Sequence, residues 1–511
     1  MKTFLLFIVL IVLRLNIVQA QTPALIWEQQ REHSIGNLIA RDSDNNIIVC
    51  GTYGNEAASD WSEILIIKFD TNGAELWSKK YSDTINGGIN HPNDMAVDDF
   101  GNIYIAGSSH ESFTGLPITQ EVLLLKYDSA GNFLWKHEFG DSSNFQGFAY
   151  RLSVYKNKSI FLAGYGQRIS GSNNKAFLAK YDSSGQQEWF FIDNNSYETK
   201  ALDVNTDNIG NSYLSGATSC CTPGYKMFVS KFDSTGNILW NTVIFDSAHT
   251  YCTTHAACID NSANIYVTGS TTDSLFSTGY DCAVAKIDSA GNQLWFYSYT
   301  SSNNADDREF SNDIIVDSLH NSYIAGSINK SQNDDAFVFK INTNGSFIWD
   351  RIYNGAGNDD DEFNSLCFTP EKKILLTGSG VTQPNLGGLC LFLYDSIGNE
   401  EWRVEKAGKY SGKNSVVING SIYCTGFNSN VDLSFFDDSL FLFKFGDTLG
   451  LGVFSNIYEL PQIKIYPNPF CDYLNISFPD DNNTNFSLSV FNMNGALVFK
   501  RHYTSSAVLS T

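Results

Sequence analysis

The stretch VLLLKYDSAGNFLWKHEF, residues 122–139, decides the fold. It reads as two apolar strands joined by a tight DSAGN turn, in which Asp128 can cap backbone N–H groups and Gly131 accepts positive φ. Just upstream, NDMAVDDFGNIYIAGSS (93–109) reads as two more short strands around an Asp/Gly/Asn turn. The pattern then recurs along the chain. Its markers are Trp27, Trp77, Trp135, Trp189, Trp240, Trp295, Trp349 and Trp402, with gaps of 50, 58, 54, 51, 55, 54 and 53 residues, and only Trp61 falls outside the register. Seven residues before each Trp from Trp77 onward stands Asp70, Asp128, Asp182, Asp233, Asp288, Asn342 or Asp395, and four before it stands a Gly, from Gly73 to Gly398. A degenerate copy with Asp447 and Gly450 ends in Phe454 at the Trp position.

Four short strands in about 53 residues is the size of a propeller blade. Runs such as LLLKY and IYIAG are apolar on both faces, as sheets sandwiched between neighbours require. The pattern predicts an all-β chain with a β-propeller over 21–456, eight-bladed, with seven blades the nearest alternative. The eighth set lacks a good Trp strand of its own, while Trp27 opens the array as an orphan fourth strand. Trp27 is therefore expected to complete the last blade and close the ring. The Trp ring after each tight turn is read as covering the seam between blades, where losing one costs about 3–5 kcal/mol. Identical placement in every unit is what packing demands, whereas a binding site needs one or two positions.

The GNIYIAGS and KYDSAGNFLW stretches resemble the SBBP-type β-propeller repeats of secreted bacterial proteins, over residues 27–454. They are also similar, more loosely, to the tryptophan-docking motif of quinoprotein propellers, with the Asp one residue nearer the Trp.

Both ends read as address labels. Lys2, the apolar run Phe4–Leu13 and the small-residue site Val18-Gln19-Ala20 predict a signal peptide over 1–20, with the mature chain starting at Gln21 and carrying no transmembrane segment. Composition changes again near residue 457. Tyr466-Pro467-Asn468-Pro469, followed by an LNISF strand and the NMNGALVF hairpin, resembles the C-terminal sorting domain of type IX secretion substrates. That resemblance implies a small Ig-like sandwich over 457–511, the type IX secretion machinery as partner, and a secreted or outer-cell-surface location in a Bacteroidetes-type envelope. The sequence is one strand pair short of the family pattern, so the sandwich is expected to be truncated, with an open edge.

Net charge is −22 with 17% charged residues, which disfavours nucleic acid, since phosphate contacts need clustered Lys and Arg. Nucleophile motifs such as GxSxG and HExxH are absent, and no catalytic residue is assigned. In a propeller, the turns inside each strand pair share one face and the longer loops between pairs and between blades share the other, so ligand contacts are expected on that variable face. Candidates there are few. Cys252 with Cys220 or Cys221 is expected as a disulfide in an exported protein. The alternative is a zinc or copper set of His249, Cys252, His255 and Cys258 in HxxCxxHxxC spacing. Adjacent cysteines also resemble the disulfide ring of quinoprotein alcohol dehydrogenases. Asp306, Asp307, Asp360 and Asp361 stand in the same register of two interblade loops and could hold Ca²⁺, although acidic turns on an acidic protein are the ordinary reading. No cofactor is otherwise expected. These features predict a binding propeller with a glycan or protein ligand; the alternatives are a propeller enzyme, either quinoprotein-like or polysaccharide-hydrolysing, and a structural surface protein.

Overall fold

The computed structural model describes residues 22–55, 61–82, 88–111, 119–139, 146–156, 158–167, 173–220, 224–246, 251–272, 279–301, 307–329, 333–356, 360–383, 386–429 and 438–446, together with short strands of the tail. Thr22–Thr448 form one compact unit, and the tail is described by itself. Every regular element among the described residues is a strand.

The strands group as six four-stranded antiparallel sheets and one eight-stranded sheet, in which two four-stranded sets meet at a single parallel pairing, Ser62 opposite Ile89. Numbered in order as blades 1 to 8, the sets begin at the first strands Ser34–Arg41, Gly88–Val97, Gln146–Tyr155, Thr199–Thr206, Tyr251–Ile259, Arg308–Val316, Glu362–Phe368 and Tyr410–Ile418. Each first strand packs on the first strand of the next blade, and Tyr410–Ile418 packs in turn on Ser34–Arg41. The core lies in the seams between blades. Tyr104 and Leu124 of blade 2 bury against Leu162 and Phe177 of blade 3, and Ile47, Val49 and Leu65 of blade 1 bury against Tyr423 and Leu442 of blade 8.

The last blade takes its outer strand from the N-terminal end of the unit. Leu25–Glu32 pairs antiparallel with Ser439–Phe445, placing Trp27 opposite Lys444, just as Trp77 stands opposite Lys68 in blade 1. The orphan strand inferred from the Trp spacing is thus the one that completes blade 8.

Two glycine positions explain the repeat. Gly51, Gly107, Gly164, Gly216, Gly269, Gly326, Gly378 and Gly426 each sit beside a register shift in the first strand of their blade. The bulge pushes a carbonyl inward, so a Cβ on Gly216 would lie 1.9 Å from the Lys200 oxygen. The turn glycines that lead into the outer strands, from Gly73 to Gly398, have φ between +79° and +92°, as at Gly236 (+89°). There the Asp oxygen caps the loop: Asp233 Oδ1 accepts from the backbone N–H of Thr235 (2.9 Å) and Asn237 (2.9 Å).

In the tail, Lys464–Tyr466 and Ala507–Ser510 flank Tyr473–Ser477 in a three-stranded sheet, and Phe486–Phe491 pairs with Leu497–Tyr503. Tyr466 lies in the first of these strands, opposite Asn475. Pro467, Asn468, Pro469 and the expected signal peptide lie outside the described residues.

Candidate functional site

The Trp rings are seam elements. Each from Trp27 to Trp349 lies against the turn glycine of the next blade, so that a Cβ on Gly236 would come within 2.8 Å of Trp189, and one on Gly73 within 2.9 Å of Trp27. The indole N–H groups of Trp77, Trp189, Trp240, Trp295 and Trp349 donate to carbonyls in those turns, at 3.0–3.4 Å. A Lys directly across the sheet reaches the same turn: Lys68 and Trp77 both donate to Ser129 O, at 2.9 and 3.2 Å. Trp135 departs from this pattern in its polar contact but not in its packing. Its ring lies 3.0 Å from where a Cβ on Gly185 would sit and 6.2 Å from the Tyr104 ring centroid. The carbonyl of Ser183 in that turn is taken by Lys126 at 2.6 Å, and the buried Trp135 N–H has no acceptor among the described residues. Lys444 of blade 8 donates to Thr71 O of blade 1 at 2.8 Å, so the Lys contact of the closing seam copies the others.

The first strands carry a second, unrepeated set that sequence reasoning missed. Just after the bulge, blades 2, 4 and 6 present Asp94, Asp203 and Asp313, and blade 3 presents Arg151. Each carboxylate accepts from its own strand and from the next blade: Asp94 from Met95 N–H (2.9 Å) and Leu152 N–H (2.8 Å), Asp203 from Val204 and Ala257, Asp313 from Ile314 and Leu366. Burial pushes the carboxyl groups of Asp94 and Asp313 up to about 6, against the opposing field of Arg151, and raises Asp203 as well. Burial works against the Arg151 charge, and the fields of the three carboxylates more than offset it. The signal for this set is the break from apolar residues such as Leu38 and Ala256 at the same register.

The expected cysteine cluster does not come together. Cys252 is a buried thiol with its Sγ 3.0 Å from Thr271 Oγ1, packed with Met227 and Ile244 in the seam between blades 4 and 5. Strand alternation turns it into that core, so the expected Cys252–Cys220 disulfide is not formed; Cys221 lies outside the described residues. His255 instead holds the next blade, with Nδ1 2.8 Å from Ser311 O, and burial lowers its pKa. Cys258 stands near Asp313 and Asp203, its thiol pushed well up by burial. His249 lies outside the described residues, as does Asp306. Among the described residues no three His, Cys, Asp or Glu side chains are grouped to hold a metal. Asp361 is buried and accepts from Gly355 N–H at 2.5 Å, exposed Asp360 accepts from Asp334 N–H at 3.1 Å, and Asp307 is buried, its carbonyl accepting from Tyr280 N–H at 3.3 Å.

A cavity of about 600 Å³ opens at the tight turns of blades 5 to 7, lined by Asp260, His320, Tyr323 and Lys373. Two of its lining groups are already paired, His320 Nδ1 with Asp260 at 2.8 Å and Lys373 with Glu401 at 2.5 Å.

On the variable face, a belt of half-buried aromatic rings runs across blades 3 to 6. Tyr150 and Tyr165 stack at 5.1 Å with their hydroxyls 3.1 Å apart. The Lys200 ammonium lies 5.4 Å from the Tyr165 ring centroid and 5.9 Å from that of Tyr225. The belt continues edge to face through Tyr225–Tyr251 (5.6 Å) and Tyr251–Tyr280 (6.2 Å) and then through the tilted pair Tyr280–Phe310 (6.1 Å), with Arg308 over Tyr280 at 5.8 Å. Glu198 anchors its centre, accepting from Tyr225 Oη, from Asn174 Nδ2 at 2.7 Å and from Lys200 Nζ at 3.1 Å. Burial pushes the Glu198 carboxyl up, but these three donors outweigh it and hold it below the ordinary range. The belt is not part of the repeat: the register of Tyr225 and Tyr280 is filled by Ser62, Gln120, Asn174, Asp334, Gly387 and Asp438 in the other blades.

Residues 84–114 match the family described as Beta-propeller repeat, SBBP, and residues 464–510 match the Secretion system C-terminal sorting domain. A relative, the Regulatory protein FlaEY of Caulobacter vibrioides, is 26% identical over 189 residues, covering 31% of this chain and 20% of that protein. The chain thus spans about a fifth of that relative's length. Among solved structures, the β-propeller domain of the Trilobed protease from Pyrococcus furiosus is similar at 10% identity and a TM-score of 0.41, over 72% of this chain and 96% of that one. The WD40 domain of SCAP from fission yeast is similar at 8% identity and a TM-score of 0.43, over 82% and 99%. The chain thus combines a β-propeller that carries a match to the SBBP repeat with a tail that matches the secretion-system C-terminal sorting domain.

Proposed function

We propose that this protein is an eight-bladed closed propeller that binds an extracellular ligand on its variable face, delivered there by an N-terminal signal peptide and a small Ig-like sorting domain. The observation carrying the binding role is the aromatic belt on blades 3 to 6, the largest departure from the repeat that leaves polar side chains near solvent. The blade count is supported by the cyclic packing of first strands and by the Trp27 strand completing the last blade. Binding is favoured over catalysis because the axial acids that an enzyme would use are committed to backbone N–H groups of neighbouring blades. A thermal-shift screen of the mature chain against glycans, peptides, Ca²⁺ and pyrroloquinoline quinone tests this. A shift with a glycan or peptide is expected; a shift with the quinone alone would overturn the reading in favour of an oxidoreductase, and one with Ca²⁺ alone would move the site to the Asp306, Asp307, Asp360 and Asp361 loops.

A further inference from the structure

We infer that the belt is a platform for a neutral polysaccharide chain, an inference that rests on the binding role proposed above. Sugar rings bury their C–H faces against aromatic rings while their hydroxyls exchange hydrogen bonds with nearby polar groups, and the belt supplies both. Tyr225, Tyr251 and Tyr280 form an unbroken run in which each ring touches the next. Among the described residues, the phenols of Tyr251 and Tyr280 have no hydrogen-bond partner, so they can give to and accept from sugar hydroxyls. Glu198 is ionised and fixes both the Tyr225 hydroxyl and the Lys200 ammonium, so the polar groups between the rings are held in place before any ligand arrives.

Charge selects the kind of chain. Lys200 is matched by Glu198 within the belt, and the protein as a whole carries −22. A polyanion would be repelled at long range and find little free positive charge at the surface. A folded protein partner, by contrast, prefers a patch whose centre is depleted of charge, and here charged groups lie over the rings themselves. Contact spread over four consecutive blades suits an extended polymer better than a single sugar.

The test is affinity electrophoresis of the mature chain in gels containing laminarin, hydroxyethylcellulose, xylan or mannan, with alginate and polygalacturonate as anionic probes. At least one neutral polymer should retard the protein, with retardation insensitive to added salt. Tyr251→Ala and Tyr280→Ala should each weaken it about ten-fold, while Phe100→Ala, on the opposite face, should leave it unchanged. Tyr280→Phe keeps the ring, and its smaller loss reads the hydroxyl should the alanine variants misfold. Retardation by the anionic polymers alone, or by no polymer, would overturn the inference. Neutral-polymer binding that survives both Tyr variants would overturn the face itself and with it the proposed site. A peptide ligand whose thermal shift is lost in both variants would keep the face and overturn only the polysaccharide.

Discussion

Replacing Arg151 with Met removes a guanidinium from among Asp94, Asp203 and Asp313 while keeping a side chain of similar length. Even with Arg151 in place, burial holds the carboxyls of Asp94 and Asp313 near 6, against an ordinary 3.8. At about 1.4 kcal/mol per unit, keeping each ionised at neutral pH costs roughly 3 kcal/mol. The sign follows from proton uptake. A folded pKa above the unfolded one means that folding binds protons between about pH 4 and 6, so the penalty is full above pH 6 and is relieved as pH falls through that window. Removing Arg151 takes away the field that lowers all three carboxyls and leaves buried charge without compensation, a loss of about 3–5 kcal/mol. R151M should therefore be destabilised by that amount at pH 8, and the deficit should shrink at pH 5, where the carboxyls take up protons. Urea denaturation followed by Trp fluorescence at both pH values measures it. A deficit equal at pH 8 and pH 5, or none at pH 8, would show that Arg151 does not act on these carboxylates.

Deleting residues 22–32 should strip the outer strand from blade 8 and bare the edge Ser439–Phe445; Trp27, half-buried, adds a loss near the low end of about 3–5 kcal/mol, and calorimetry showing an unchanged melting temperature would reject the closure. Gly236→Ala meets both positive φ and the Trp189 ring at 2.8 Å, so chemical denaturation should show a loss of about 2–4 kcal/mol. Gly387→Ala, where a Cβ would meet nothing within 4 Å, should stay within about 0.5 kcal/mol. Non-reducing peptide mapping should find Cys252 as a thiol, and iodoacetamide should modify it only after unfolding; a peptide joining Cys252 to Cys220 or Cys221 would reject its placement in the seam.

The repeat was legible because seam packing constrains the same few residues in every blade. A Trp ring resting on a glycine Cα cannot tolerate a side chain there, and the DSxG turn cannot form without a cap at its first position, so both leave a period in the sequence. Closure was legible for the same reason, since Trp27 had no partner strand nearby in the chain. The candidate site was not. Tyr225 and Tyr251 lie in different blades, and only the ring arrangement brings them together, so no local spacing announces the belt. Residues 249–258 illustrate the opposite error. HxxCxxHxxC reads as a ligand set on a line, but the strand carries Cys252 into one seam and His255 toward Ser311 in the next blade.

Departure from a repeat is therefore only the first half of a functional argument, and the Asp residues of the inner strands show why. Asp94, Asp203 and Asp313 are absent from the odd-numbered blades and sit where a catalytic group of a propeller would be sought. Yet each spends both carboxylate oxygens on backbone N–H groups, one of them in the next blade, and so binds the inner wall together. Blade 7 departs in the other direction, with Leu393 where every other blade places Lys and Leu375 where all the others but blade 1 place an aromatic ring; there Trp402 is buried and its N–H has no acceptor among the described residues. Both sets of departures are consumed by the fold, one by hydrogen bonding and one by apolar packing. The belt on blades 3 to 6 differs because Tyr251 and Tyr280 are unrepeated and keep hydrogen-bonding capacity that no described residue uses. An unrepeated residue whose polar groups remain open to solvent is what a ligand can select, and that combination is the ground for proposing the belt as the binding surface.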